Sequence, residues 1–260
     1  MEPQPETATV LVCGTAFPVT AGELELAGLQ VKGPEAFSAL SRLVNLRTIT
    51  LSKMTFSDAG WESLVAGIKG SPHLTHFNLT ACGLGPKHAA DLAGIFSSGG
   101  CNITTLCLAK NDALTGKRSR DNDNRGPWIY GEKTEGWVAL GSALPSTMIS
   151  LDFSGCALKP KSLTPLTDAI AKMPALARVS VLSNPIGIDG ADALIEVFEQ
   201  NTNLRTLLGI EEGITEVNLS KKNVDPGQAK ILASEMKAGR AAAAVAHISI
   251  SMQDLASGKI

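Results

Sequence analysis

Four residues near the middle of the chain have the spacing of a calcium-binding loop. The first, third, sixth and twelfth places of that pattern are filled by Asp121, Asp123, Gly126 and Glu132. The fifth place should supply another oxygen ligand, but it holds Arg125, whose guanidinium group would repel the ion. We therefore predict that this stretch holds no metal.

The same stretch contains part of a phosphate-binding loop, in the sequence "TGKRS". Such a loop needs a glycine five residues before the Gly-Lys pair and a serine or threonine directly after it. Here that first glycine is missing, and Arg118 follows Lys117. We therefore predict neither a nucleotide nor any other cofactor.

Arginine and aromatic side chains are concentrated in this stretch, and they are the residue types that contribute most to protein interfaces. We predict a partner-binding surface formed by Arg118, Arg120, Arg125, Trp128 and Tyr130. The alternative is a solvated insertion without a partner. In "GPWIYG", glycine and proline bracket three large side chains, which suggests a turn that packs back on the body.

The elements that must position this stretch are repeats. Five segments share apolar residues at places one, four and six, and they begin at Leu46, Leu74, Ile103, Met148 and Leu176. Their starts are separated by 28, 29, 45 and 28 residues. Between them lie segments such as "DAGWESLVAGI", with the three- and four-residue apolar spacing of a helix face. The pattern of each repeat unit therefore predicts a strand, a turn and a helix. The turn and the helix form the crossover connection that neighbouring parallel strands require.

This pattern resembles the leucine-rich repeat of the ribonuclease-inhibitor type, over roughly residues 21–255. Place nine, which is Asn or Cys in that family, holds Met54, Cys82, Asn111, Cys156 and Asn184. The segment that begins "LRTLLGIEEGITEVNLSKKNV" also resembles multi-repeat proteins of algae and other protists. The resemblance implies an α/β fold, a curved solenoid with parallel strands on its concave side and helices on its convex side. It implies no activity, because this architecture serves many partners.

The repeat spacing also predicts how the chain is divided. We expect one solenoid over residues 1–260, with an N-terminal cap at 1–20 and an insertion at the rim at 115–133. The step of 45 residues exceeds the usual 28 by 17, and the excess follows a strand. The apolar segment "GPEAFSALSRLV" (33–44) is predicted to be the helix of an earlier repeat unit.

The C-terminal part departs from this spacing. Repeat patterns begin at Leu204 and again at Ile214, and ten residues leave no room for a helix. Residues 204–213 are therefore an irregular junction, in which either a short strand or turn replaces a helix or the two segments form a tight hairpin. The last pattern, from Val245, has no helix after it. Either the following residues "LASGKI" fold over this strand, or a partner or a second copy associates with it.

The sheet face predicted to lie on the concave side offers little to a large partner. Places three, five and seven of the strands carry small, mostly hydroxylic residues, with one arginine and no aromatic residue. Interfaces anchored by aromatic residues are built differently. Trp61 and Trp137 recur at the same place in two predicted helices, so we expect both to pack in the core.

The composition bounds the class of protein. Of the 260 residues, 44% are apolar and 18% are charged, so the chain can bury a core. The net charge of −2 argues against a nucleic-acid binder, and no apolar run reaches the length of a membrane span. Five cysteines without a CxxC pair, together with an N-terminus that lacks a basic region, indicate a reducing, cytoplasmic location.

No acid–base or nucleophile–base set of residues converges in the sequence, so we predict that the chain is not an enzyme. We expect a protein-interaction module or scaffold of about seven to eight repeats. One alternative is a structural subunit that packs through its ends and its helical face. Another is a regulator of small GTPases, for which fold analogy is the only support.

Overall fold

The computed structural model describes residues 8–99, 102–119, 128–131 and 133–250. The α-helices in these ranges are α1 (Asp58–Lys69), α2 (Pro86–Ser97), α3 (Glu135–Ala143), α4 (Pro160–Ile170), α5 (Gly187–Gln200) and α6 (Pro226–Ala238). Short 3₁₀ helices span Leu40–Arg42 and Ala241–Ala244. In this part of the chain no helix is both long enough and apolar enough to cross a membrane.

The strands in the same ranges are short. They are β1 (Thr9–Val12), β2 (Thr15–Pro18), β3 (Glu23–Ala27), β4 (Gln30–Val31), β5 (Thr48–Ser52), β6 (Thr55–Phe56), β7 (His76–Asn78), β8 (Thr105–Cys107), β9 (Lys117–Ser119), β10 (Trp128–Tyr130), β11 (Ser150–Asp152), β12 (Arg178–Ser180), β13 (Glu216–Asn218) and β14 (His247–Ser249). The predicted α/β class is confirmed.

Six of these strands form one parallel sheet in the order β3–β5–β7–β8–β11–β12, which is also their order along the chain. The place-four residues are aligned across the whole sheet, and each is 0–1% exposed: Leu24, Ile49, Phe77, Leu106, Leu151 and Val179. A shift by one residue in any strand would turn its apolar side chains to the opposite face. The inward orientation predicted for place four is therefore confirmed.

The residue at place eight bends the chain away from each strand. It has a left-handed backbone in seven repeat units, at Gly28, Lys53, Ala81, Lys110, Gly155, Ser183 and Lys221, but not in the irregular unit from Leu204. For a non-glycine residue this conformation costs about 1–2 kcal/mol. The geometry also directs the N–H of place eight to the carbonyl of place seven in the next unit, as from Ala81 to Ala109 at 2.8 Å and from Lys110 to Ser154 at 2.7 Å.

The residue at place nine satisfies the backbone of these turns. Asn111 accepts from the N–H of Leu84 at 3.0 Å, and its amide donates to the carbonyl of Leu79 at 2.9 Å. Asn184 makes the equivalent bonds one pair of units later. The thiol of Cys156 is buried and donates to a backbone carbonyl of the preceding unit at 3.1 Å. Amide and thiol therefore serve the same structural purpose, as the resemblance implied for these positions.

The two recurring tryptophans pack as predicted. Trp61 and Trp137 are 1% and 2% exposed. Each indole N–H has a partner, since Trp61 donates to the carboxylate of Asp91 at 2.9 Å and Trp137 to the carbonyl of Ser162 at 2.7 Å. Trp137 also meets Phe153 edge-on, with ring centroids 5.0 Å apart. Both residues belong to the core that joins helices to sheet.

The helix predicted at 33–44 is wrong. This segment consists of turns and the 3₁₀ helix Leu40–Arg42. Its hydrogen bonds join residues three apart, as from the N–H of Leu40 to the carbonyl of Phe37 at 3.1 Å. Phe37, Leu40 and Leu43 are buried, and their spacing of three matches the 3₁₀ period. The N–H of Phe37 donates to the side chain of Ser63 at 3.0 Å, which fixes the segment against α1.

The N-terminal part forms a hairpin. Strands β1 and β2 are antiparallel, and their two-residue turn has positive φ at both Cys13 and Gly14. Val10 and Val12 are buried beneath the first strands, while Leu11 is 64% exposed on the other side. This hairpin lies within the predicted cap at 1–20, of which residues 1–7 are outside the described ranges.

The irregular junction at 204–213 resolves into a short extension of the sheet. Thr206 forms a parallel bridge to Arg178, and Val179 donates to the carbonyl of Thr206 at 2.9 Å. The ladder then stops. Strands β13 and β14 are parallel, as the repeat pattern predicted, but they form a separate two-stranded sheet. Beyond Thr206, the N–H groups of Leu207 and Leu208 donate to the buried side chain of Glu235 instead of to another strand.

Candidate binding surface on the rim hairpin

The ends of the predicted insertion at 115–133 are hydrogen-bonded to each other. The N–H of Lys133 donates to the carbonyl of Thr115 at 3.2 Å, and that of Gly131 donates to Gly116 at 3.0 Å. Gly116 has a φ of +88°, and a Cβ on it would come within 2.8 Å of the Lys133 backbone. The insertion is therefore a loop whose two ends meet at a closed stem.

Above this stem, β9 and β10 pair in an antiparallel arrangement that we call the rim hairpin (117–119 and 128–130). Tyr130 lies opposite Lys117, Ile129 opposite Arg118, and Trp128 opposite Ser119. The turn predicted for "GPWIYG" is wrong for residues 128–130, because pairing with β9 satisfies their backbone and holds them extended.

A cation lies between the two aromatic rings of the rim hairpin. The Lys117 ammonium is 4.7 Å from the ring centroid of Trp128 and 5.6 Å from that of Tyr130. Its Nζ is 2.6 Å from a carboxylate oxygen of Asp112, to which the Tyr130 hydroxyl also donates at 3.4 Å. The hydrogen bond that Lys117 donates to Asp112 raises the pKa of Lys117, so this side chain stays charged. Two rings and a carboxylate thus hold one positive charge.

This arrangement leaves one large apolar surface open. Trp128 is 46% exposed, and it is the one aromatic residue among the strongly exposed large apolar side chains of the described ranges. Tyr130 is only partly exposed, beside Lys117. The hairpin therefore presents a single indole on a backbone that is closed by its stem and braced by the ion pair.

The structure brings together part of the predicted binding surface. Trp128 and Tyr130 lie on one face of the hairpin with Lys117 between them. For Arg118 the structure gives the backbone position, opposite Ile129. Arg120 and Arg125, which were also predicted for this surface, lie outside the described ranges. So do the four residues of the calcium-like pattern, Asp121, Asp123, Gly126 and Glu132.

Sequence reasoning missed Lys117 and Asp112. Their five-residue separation matches no helix or strand rule, so nothing local relates them. Their pairing depends on the hairpin register, which sets Lys117 opposite Tyr130. Recognising "KRS" and "WIY" as paired strands would have predicted the contact between Lys117 and Tyr130.

The exposed face of the six-stranded sheet offers fewer binding groups than its polar sequence suggests. The place-five side chains of Asn78 and Asp152 each accept a hydrogen bond at 2.9 Å from a backbone N–H two residues ahead. These oxygens therefore stabilise the ends of their own strands. Cys107 lies in the same face, and burial raises the pKa of its thiol, which disfavours a nucleophilic thiolate.

A cleft with a cysteine beside the N-terminal hairpin could have indicated a catalytic site. A cleft of about 450 Å³ beside the N-terminal hairpin is lined by residues such as Leu11, Cys13, Leu29 and Lys32. Burial raises the pKa of the Cys13 thiol to about 11, so it is not activated. Within the described ranges, no group of three or more His, Cys, Asp or Glu residues is arranged to hold a metal ion.

Comparison with known proteins gives no match, either among protein-family models or among curated sequences. The function must therefore be inferred from the geometry of this chain.

Proposed function

We propose that this chain is a leucine-rich-repeat solenoid of the ribonuclease-inhibitor type that acts as a non-enzymatic protein-binding module. Three regularities support the repeat assignment. The six strands follow one another in parallel order, place eight is left-handed in seven repeat units, and Asn or Cys at place nine bonds back to the preceding unit. Helices that follow one another in the chain also pack together, from α1 to α6, as in stacked repeats.

The observation that carries the binding function is the exposed Trp128 ring on the braced rim hairpin. A tryptophan whose conformation is already restricted loses little entropy when a partner covers it. Exposed tryptophan on a rigid support is also the residue type most enriched at binding hot spots. We therefore centre the proposed partner interface on Trp128, with Tyr130 beside it. The contribution of Arg118, Arg120 and Arg125 stays a prediction from residue type.

The exposed sheet face supports the same choice by contrast. Many of its side chains are small, and the side-chain oxygens of Asn78 and Asp152 are already engaged with the backbone. A partner that covered it would gain few new hydrogen bonds and no aromatic anchor. An interface centred on this face would therefore be weak, and the rim hairpin is the better candidate.

The test is a substitution of Trp128→Ala, with Ile188→Ala as the matched control. Ile188 is 45% exposed and lies on α5, so both changes remove an exposed apolar side chain. Proteins captured from native extract by the wild-type chain are quantified against both variants. A specific partner should bind Trp128→Ala at least about ten-fold more weakly, the loss typical of a hot spot, and should bind Ile188→Ala normally.

Thermal unfolding of the two variants provides the control for folding. Both should unfold within about 1 kcal/mol of the wild type, because surface substitutions have small effects. Partners recovered equally by Trp128→Ala and by Ile188→Ala would contradict the proposed interface.

A further inference from the structure

A buried carboxyl group terminates the sheet at its C-terminal end. The N–H groups of Leu207 and Leu208 both donate to Oε1 of Glu235, the second at 2.9 Å. The hydroxyl of Thr206 lies 3.0 Å from Oε2. Glu235 thus takes the hydrogen bonds that a further strand would otherwise supply. We call this cluster of Thr206, Leu207, Leu208 and Glu235 the terminal joint.

The terminal joint holds together two parts of the molecule. Glu235 belongs to α6, whereas residues 206–208 extend the six-stranded sheet beyond β12. The fully buried amide of Gln228 strengthens the attachment of α6, since it donates to the carbonyls of Val181 and Asn184 at 3.0 Å. Strands β13 and β14 lie on the far side of this attachment, in their own sheet.

No cation neutralises Glu235 in the described part of the chain. Its side chain is buried, and the residue is 1% exposed. The charged groups on the neighbouring elements are engaged elsewhere. Arg205, next to the joint, pairs with Glu212, and Lys230 on α6 pairs with Asp192 on α5.

Arg240, just beyond α6, is also engaged. It donates to the carbonyls of Phe198 and Asn201 at the end of α5, at 2.8 and 2.9 Å. The 3₁₀ helix Ala241–Ala244, which packs against α6, carries no charge. An ionised Glu235 would therefore be stabilised only by neutral hydrogen-bond donors.

The positions of the donors fit a neutral carboxyl group. Oε1 accepts from two backbone N–H groups, as a carbonyl oxygen does. The hydroxyl of Thr206 donates to the carboxyl group, 3.0 Å from Oε2 and 3.2 Å from Oε1; when Oε2 is protonated, the hydroxyl can donate to Oε1 while its oxygen accepts from Oε2. That oxygen also accepts from the N–H of Ile210 at 3.0 Å, and the N–H of Leu208, 3.2 Å from it, has its shorter bond to Oε1, so each donor keeps an acceptor in the protonated state.

We propose that the terminal joint is a pH-sensitive attachment, in which neutral Glu235 fixes α6 to the sheet and ionisation of Glu235 loosens it. The device acts within the fold and does not depend on the binding function proposed for the rim hairpin.

The direction of the effect follows from linkage. Burial raises the pKa of Glu235 from 4.5 to about 7, whereas in an opened joint the carboxyl group is hydrated and returns to 4.5. The closed joint therefore binds a proton more tightly than the open one. Closure is most stable below pH 4.5, weakens as the pH rises, and reaches a plateau above pH 7. Between pH 5 and 8 the opening constant should rise on the order of 100-fold.

The test is amide hydrogen exchange at Leu207 and Leu208 in the full chain, compared between wild type and Glu235→Gln. The glutamine amide can accept through its oxygen and donate to Thr206, so it mimics the protonated acid but cannot ionise. At each pH the ratio of the two exchange rates cancels the intrinsic pH dependence of exchange. We expect this ratio to rise on the order of 100-fold from pH 5 to pH 8. Glu199→Gln, an exposed change on α5, should leave the wild-type profile unaltered.

Three results would overturn the proposal. The first is a ratio that stays constant with pH. The second is an equal change at Ile49 and Leu51 in β5, which would mean that the whole fold responds and not the joint. The third is a ¹³C titration of the Glu235 carboxyl in the wild-type chain with a midpoint near 4.5, which needs no variant to fold.

Discussion

The rim hairpin and the terminal joint each depend on one carboxyl group, in opposite surroundings. Asp112 at the rim is 45% exposed in its side chain and pairs with a lysine. Glu235 at the joint is 1% exposed, and its partners are backbone N–H groups and a hydroxyl group. Asp112 is therefore paired with a cation and exposed to solvent, whereas Glu235 is buried among neutral donors.

This contrast shows why an ion pair is the weaker indicator of stability. An exposed pair competes with water and salt, and it usually contributes about 0–1 kcal/mol. A buried carboxyl group that satisfies several donors contributes little net energy while it is present, but its removal leaves those donors without partners. The rim therefore suits a surface that must remain accessible, and the joint suits a contact that holds two parts of the fold together.

The sharpest test removes both carboxyl groups in parallel. Glu235→Ala takes the acceptor from the buried N–H of Leu207, weakens that of Leu208 and opens a cavity, so it should lower the free energy of unfolding by about 3 kcal/mol. Asp112→Ala should lower it by less than about 1 kcal/mol. Urea denaturation followed by circular dichroism measures both. Equal losses would erase the distinction between the two sites.

A second test compares two arginines near the joint. Arg240 donates to three carbonyls, of Phe198, Asn201 and Leu204, and lies 4.2 Å from the Phe198 ring centroid. Arg240→Ala should cost about 2 kcal/mol, because it uncaps the end of α5 and removes a cation–π contact.

The matched control is Arg205→Ala. Arg205 pairs with Glu212 at a site where both side chains are about half exposed, so its loss should cost no more than about 1 kcal/mol. The midpoints of urea denaturation of the two variants show which substitution costs more stability. A smaller loss for Arg240→Ala than for Arg205→Ala would show that burial is not what separates these groups.

The sequence predicted the regular part of the fold because each repeat unit has the same spacing of apolar residues. Helix α1 begins at the first residue of the segment "DAGWESLVAGI", read from apolar spacing, and ends one residue after it. The aligned inward row from Leu24 to Val179 follows from the same pattern. The 3₁₀ segment at 33–44 was missed because a spacing of three also fits part of an α-helical face.

The two sites were harder to predict, for different physical reasons. At the rim, Trp128 and Tyr130 were found by residue type, but Lys117 depended on a hairpin register that no repeat fixes. At the joint, Gln228 and Glu235 lie on the same helix face as the buried Ile231, at heptad spacing. Polar residues in that position signal a buried network, and only the neighbouring 204–213 segment could reveal its donors.

The smallest expected effect concerns the rim cation. Lys117→Met keeps the length of the side chain but removes its charge. At about 50 mM salt it should destabilise the hairpin by about 0.5 kcal/mol, because the ion pair and the cation–π contacts are lost. Amide exchange at Gly131 and Lys133, which close the stem, should then be roughly two- to three-fold faster than in the wild type. Salt at about 0.5 M should shrink this difference, since screening already weakens the wild-type pair. A difference that stayed constant with salt would mean that packing of the lysine stem on the rings, and not its charge, braces the hairpin, and the rim would then resemble the joint in depending on contacts that water does not reach.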